Sequence, residues 1–316
     1  MRILNNKWLR LWGRKAYFAV FNSWFFDRLN RVYFRFFWAK HRDGILRGCS
    51  LTDDLAGEKI LILAPHCDDE TIGCGGAMLR YVEKKKEVFL VYLTDSQKQG
   101  SRENPEGIRE ERRQEAYALA GALGLPKENL FFLGGADGDL LHSPVEGALA
   151  EVIRSVRPDT IFLPVVLDTH PDHYAVTPML DAVYQVEPEL LRGVRLYLYE
   201  SQSPLTLFYA NVALRITKMF QQKLELFRLF RSQPYSFKFV GNLNQINGLF
   251  WGSGELCETY LAVPMERYHE FTLKYFNEDE AYFRHKELFK ANKHSGSLIE
   301  SYLSSYRTKG ILRELR

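Results

Sequence analysis

Cysteine is scarce in this chain. Cys49, Cys67, Cys74 and Cys257 form neither a Cys-x-x-Cys pair nor a dense framework. That excludes a disulfide-stapled scaffold and predicts a reducing compartment, cytoplasmic or peripheral on the inner face of a membrane. Internal repeats and low-complexity segments are also missing, and only Ser232 to Gly254 has the scattered polar and glycine residues of a linker. Gly73, Gly75 and Gly76 lack the spacing of a Walker A loop or a Gly-x-Gly-x-x-Gly fingerprint, so their expected use is close packing of a helix on the strand before it. The amino-terminal region has no run that could span a bilayer. Its longest uncharged stretch, residues 16–26, is eleven residues long, whereas a span needs about 20. Asn22 and Ser23 interrupt that stretch and more charge follows it, unlike a signal peptide.

The chain is 316 residues long and 46% hydrophobic, enough for one large α/β domain with appendages. Apolar runs at Lys59–Leu63, Glu87–Leu93, Asn129–Leu133, Thr160–Val166 and Val194–Tyr199 alternate with helical patterns, among them Glu106–Leu123. This alternation predicts a Rossmann-like, mostly parallel sheet with helices on both faces.

Residues 1–48 carry eleven basic residues against Asp27 and Asp43, a formal +9 in a chain whose total is +3, so the rest sums to about −6. Trp8, Trp12, Tyr17, Phe18, Phe21, Trp24, Phe25, Phe26 and Tyr33 to Trp38 interleave with this charge. Two readings stand: an interfacial helix on anionic lipid, or a helical pair packing its aromatics onto the catalytic domain or a second subunit. Nucleic acid is not expected, because no reading motif accompanies the basic patch.

Two polar clusters sit at strand ends. Ala64-Pro65-His66-Cys67-Asp68-Asp69-Glu70 follows the first apolar run, and His170-Pro171-Asp172-His173 follows the run ending near Leu167. Zn2+ binds imidazole nitrogen and carboxylate oxygen, and a catalytic site keeps one position open. His66, Asp69 and His173 make such a set. Asp68 is then the expected general base, and His170, as imidazolium held by Asp172, the expected oxyanion stabiliser and acid. The implied reaction is hydrolysis of an amide. The structural alternatives are acids at a helix N-terminus for the first cluster and an ordinary turn with a capping Asp for the second.

The two clusters resemble the motifs of the PIG-L/LmbE-like de-N-acetylases, Ala-His-Pro-Asp-Asp-Glu and His-Pro-Asp-His. The second matches in full; the first has Pro65 and Cys67 around His66, neither at a ligand position. The resemblance covers about residues 57–264, leaving 1–56 as a basic, aromatic helical extension and 265–316 as a helical carboxy-terminal one. It implies a zinc enzyme, with Fe2+ an alternative, that removes acetyl from an N-acetylglucosamine-type sugar. It further implies sugar contacts from Arg112, in Arg112-Arg-Gln-Glu115, and from Asp137. The alternatives there are a solvated charged helix face and a tight turn needing Gly138. With the basic extension, a lipid-linked or envelope saccharide is the expected substrate. A non-sugar amidase and a noncatalytic saccharide-binding scaffold at a membrane are the competing functions.

Overall fold

A computed structural model describes residues 17, 20–97, 105–233, 237–276, 291 and 293–316. Its centre is an eight-stranded sheet. The strands are β1 (Ser50–Thr52), β2 (Lys59–Ala64), β3 (Glu87–Thr94), β4 (Leu130–Gly135), β5 (Thr160–Pro164), β6 (Arg195–Tyr199), β7 (Val212–Arg215) and β8 (Cys257–Pro264). They lie in the order β1-β7-β8-β6-β5-β2-β3-β4. Every pairing is parallel except those of β8, which runs antiparallel between β6 and β7. The five expected strands are all present, displaced by a residue or two at their ends.

β2 and β5 are apolar nearly throughout because both faces of the sheet are covered. Side chains alternate across a strand, so Leu61, Leu63 and Ile161 join one core layer while Ile60, Ile62 and Phe162 join the other. From β2 the chain steps outward through β3 to β4, then returns to place β5 on the other side of β2. The carboxyl ends of β2 and β5 therefore adjoin at a topological switch point, where open α/β sheets collect ligands.

Helix α1 (Trp24–Leu46) precedes the sheet, and α2 (Asp69–Glu83) follows β2. The glycines of α2 do allow close packing, but not on β2. A β-carbon on Gly73 would enter the ring of Tyr199 at the end of β6, and one on Gly75 would press on the buried stem of Lys223. After β3 comes α3 (Pro105–Leu123), and α4 (Glu146–Val156) and α5 (Pro171–Val186) flank β5. α6 (Phe220–Leu226), α7 (Lys238–Leu249), α8 (Met265–Tyr275) and α9 (Leu298–Thr308) complete the helices used below.

One expectation is corrected. Ser232 to Gly254 is not a linker, since α7 occupies most of it. Its asparagines read as loop residues but are buried hydrogen-bonding groups: Asn244 bonds Lys223 and the Cys257 carbonyl, and Asn247 bonds Glu200. Within residues 20–56, β1 extends the sheet alongside β7 and α1 buries Phe34, Trp38 and Ile45 in the core, as the packing reading of this region expects. The rings of Phe34 and Trp38 lie 4.9 and 5.4 Å from Tyr302 of α9. Trp38 Nε1 also donates to the Ile246 carbonyl at 3.0 Å. In the carboxy-terminal stretch, α9 thus closes on α1. The basic and aromatic residues before Tyr17, and Tyr282 and Phe283, lie outside the described residues. Among the described residues no helix is long and apolar enough to cross a membrane.

Because Trp38 combines full burial with a hydrogen bond, Trp38→Ala is expected to cost about 3–5 kcal/mol of unfolding free energy. A urea midpoint unchanged from the parent would contradict this packing.

Candidate metal centre

The first polar cluster is built by a sharp turn between β2 and α2. Asp68 sits at φ +144° and ψ −25°, a conformation that non-glycine residues avoid. Its amide donates to Glu70 Oε2 at 3.1 Å and its carbonyl receives the amides of Thr71 and Ile72. Although it stands at the N-cap position, its side chain caps nothing. The capping alternative therefore fails for Asp68: its carboxylate receives the side-chain amide of Gln233 and lies 4.0 Å from the Arg112 guanidinium.

The second cluster opens α5, with Pro171 in its first turn. The cap is His170, whose Nδ1 accepts the Asp172 amide at 3.3 Å; Asp172 turns inward. One of its carboxylate oxygens accepts the Gly138 amide at 2.6 Å and lies 2.9 Å from His66 Nε2, while the other accepts the Leu140 amide at 3.0 Å. Gly138 has φ +76°, so the tight turn demands glycine there.

The two clusters meet at Asp69. Its Oδ2 lies 3.1 Å from His66 Nδ1 and 3.1 Å from His173 Nε2, and its Oδ1 receives the Ser201 hydroxyl at 2.6 Å. The outer nitrogens of both imidazoles face carboxylates: His66 Nε2 meets Asp172, with Asp137 at 3.4 Å, and His173 Nδ1 meets Asp168 at 3.5 Å. That is the arrangement in which a histidine presents one nitrogen to a metal while a carboxylate holds the other. The donor atoms of His66, His170 and His173 lie within 4.8 Å of one another, and so do those of His66, Asp137, His170 and Asp172.

Electrostatics supports the same fit. Asp68, Asp69, Asp137, Asp168 and Asp172 are all buried here, with Arg112 the nearby guanidinium. Burial opposes charge on His66, but Asp137, Asp172 and Asp69 outweigh it and raise its pKa well above the usual value. Burial likewise opposes charge on His173, yet Asp69 and Asp168 raise it to about 10. Both His173 ring nitrogens are buried, and neither makes a well-formed hydrogen bond among the described residues. Such surplus negative charge around inward-facing nitrogens suits a bound cation better than two extra protons, and His66, Asp69 and His173 could hold one.

Burial, then the neighbouring His173 and His66, pushes His170 down to about 4, which favours a neutral imidazole over the expected imidazolium. Asp172 lies 3.8 Å from His170 Nδ1 and places its oxygens closer to His66 and to the Gly138 and Leu140 amides. Cys67 is a buried thiol whose pKa burial and Glu70 raise, so it offers no thiolate. Glu70 is pushed up to about 8 by burial and by Asp68, which leaves it protonated and structural.

Arg112 is buried and donates to the Cys67 carbonyl at 3.0 Å, which places it beneath the Asp68 turn rather than on a solvated helix face. Asp137 is also buried, against His66. Sequence reasoning assigned no role to Ser201 or Gln233. Ser201 follows β6, a strand end beside β5, which was the available signal. Gln233 is presented by Ser232, whose amide and hydroxyl both bond Glu115 of α3, at 2.6 and 2.7 Å.

Residues 61–184 match the family model described as PIG-L, GlcNAc-PI de-N-acetylase. A 2'-N-acetylparomamine deacetylase from Streptomyces fradiae is 28% identical over 147 residues, 40% of this chain and 52% of that protein. The chain thus aligns with about half the length of this curated relative. The N,N'-diacetylchitobiose deacetylase of Pyrococcus horikoshii superposes with a TM-score of 0.58 at 24% identity, over 67% of this chain and 86% of that one. GalB of Pseudomonas putida KT2440, a 4-carboxy-2-hydroxymuconate hydratase, superposes at 0.56 with 17% identity, over 65% of this chain and 96% of its own. At such identities the two superpositions establish the fold, which by itself does not select the chemistry. Both motifs lie inside the matched segment and their side chains meet at one strand-end site, so residues 61–184 are similar to the PIG-L/LmbE-like de-N-acetylases in sequence and in the placement of these groups.

Proposed function

We propose that this protein is a metal-dependent hydrolase that removes the N-acetyl group from an N-acetylglucosamine-type sugar. The observation that carries the reading is the convergence of His66 Nδ1, Asp69 Oδ2 and His173 Nε2, each backed by a further polar partner, at the switch point of the sheet. His66, Asp69 and His173 would hold Zn2+, or Fe2+, which the same donor set also suits. Bound there, the metal would acidify water and polarise the amide carbonyl.

Asp68, on its strained turn beside the ligand Asp69, takes the proton of the attacking water as general base. Gln233 and Arg112 hold its carboxylate in place. His170 keeps Nδ1 occupied by the Asp172 amide, so its proton resides on Nε2, from which it donates to the developing oxyanion. Hydroxide adds to the carbonyl carbon, the C–N bond breaks, and the proton gathered by Asp68 passes to the departing amine. The products are acetate and an amino sugar. Arg112 and Asp137 act on the sugar side indirectly, through the Asp68 turn and His66, which differs from a direct clasp on hydroxyls.

The sugar is the part of the reading that rests on likeness, on the matched family description and the named activity of the curated relative. A lipid-linked or envelope saccharide is the finer version, supported by the basic amino-terminal region.

The deciding experiment pairs metal analysis with acetate release from N-acetylglucosamine-containing glycans and glycolipids. Asp68→Ala should retain metal and lose about 10²- to 10⁴-fold in turnover; loss of metal with activity restored by adding it would remove Asp68 from the base role. His173→Ala should purify without metal, and an unchanged metal content would redraw the ligand set. Ser201→Ala should weaken metal retention against a chelator by about 10- to 100-fold, since the hydroxyl orients Asp69. Equal retention would show that Asp69 is positioned without it.

A further inference from the structure

We propose that the outward face of α1 docks on an anionic phospholipid bilayer, the helix lying in the plane of the surface. This stands apart from the deacetylase reading, since it uses none of the metal-site residues.

α1 carries two apolar stripes on opposite sides. One is the buried set Phe34, Trp38 and Ile45. The other is Phe25, Leu29, Val32 and Phe36, spaced i, i+4, i+7 and i+11 and therefore in line on one face. These four are 61%, 43%, 45% and 76% exposed. A helix that needed only to pack on the protein would carry polar residues there.

Arg28, Arg31, Arg35 and Arg42 run along one flank of the outward stripe, Lys40 borders the other, and all are exposed. None of the five pairs with a carboxylate among the described residues. Arg28 lies over the Trp24 ring at 5.3 Å, and that tryptophan is 65% exposed. Asp27, an acid in the first turn, is drawn inward by Lys238 at 2.8 Å, which leaves Asp43 as the acid facing outward. Arg31 and Arg42 donate to the carbonyls of Asp27 and Phe250, which leaves their charge unneutralised. An apolar stripe bordered by guanidinium groups that no carboxylate neutralises suits acyl chains beneath a phosphate layer.

A second copy of the chain fits less well. A two-fold contact through the stripe would bring two arginine rows together with no acid between them. Four partly exposed side chains also supply well under the about 800 Å² per partner of a stable interface. The sequence before Tyr17 adds Arg2, Lys7, Arg10, Arg14 and Lys15, with Trp8 and Trp12, and so extends the same chemistry.

The test is sedimentation of the full chain with vesicles of phosphatidylcholine alone, and of phosphatidylcholine mixed with phosphatidylglycerol, at two salt concentrations. The wild type should sediment with the mixed vesicles and far less with the neutral ones. Arg28→Gln/Arg31→Gln/Arg35→Gln should reduce that binding by about 100-fold and flatten its salt dependence. Phe25→Ser/Phe36→Ser should reduce it by about tenfold or more. Both variants alter exposed side chains, so thermal midpoint and metal content should match the parent; the charge variant tests the proposal even where the aromatic one misfolds. Absence of wild-type binding to the mixed vesicles, or full binding by a folded charge variant, overturns the proposal. So does a dimer, seen by sedimentation equilibrium, that the Phe variant dissociates while vesicle binding stays intact. Acetate release is scored separately, so failure of either reading leaves the other standing.

Discussion

The carboxylate of Asp69 is where the architecture of this protein converges. It faces His66 from the end of β2 and His173 from the helix after β5, and it receives Ser201 from the end of β6. Three strand ends are thereby tied to one residue at the first turn of α2. Such a knot forms only where the sheet reverses its winding, because only there do the β2 and β5 ends open side by side. Placing so many acids in a buried site is costly unless opposite charge answers them. The raised pKa of both imidazoles reflects that demand, and a bound cation would meet it more fully.

Around this knot the polar groups act in relays. Glu115 fixes Ser232, which delivers Gln233 to Asp68; Asp172 gathers the 138–140 turn and aims it with His66. Behind the β6 end, the loop with Ser201 is held by Lys309, which donates to the carbonyls of Ser203 and Pro204, and by Ser305, paired with Ser203. The carboxy-terminal helix thus buttresses the site from behind. It is in turn clamped by α1 through Phe34, Trp38 and Tyr302. α1 and α9 therefore pack together against one side of the sheet.

Much was legible beforehand. The five strands around the switch point are nearly continuous apolar runs of Leu, Ile, Val, Phe and Tyr, and both motifs sit directly at strand ends. β1, β7 and β8 carry no such run, since each is short or polar at its start, as in Cys257-Glu258-Thr259, and gains its place from partners rather than from local pattern. The α7 segment reads as a linker because Asn242, Asn244 and Asn247 count as loop residues. Their side chains instead satisfy buried partners such as Lys223 and Glu200, a pairing that exists only across long separations.

The sequence by itself determined the donor types, the doubly covered sheet and the concentration of basic charge before residue 48, since these follow from residue chemistry and from period along the chain. Only the tertiary arrangement fixes which nitrogen of each histidine faces inward, that Asp172 lies closer to His66 than to His170, and that burial lowers the His170 pKa. It also decided that α1 is both a core helix and an exposed one. Those outcomes depend on burial and on neighbours distant in sequence, where a carboxylate at about 3 Å outweighs anything encoded locally.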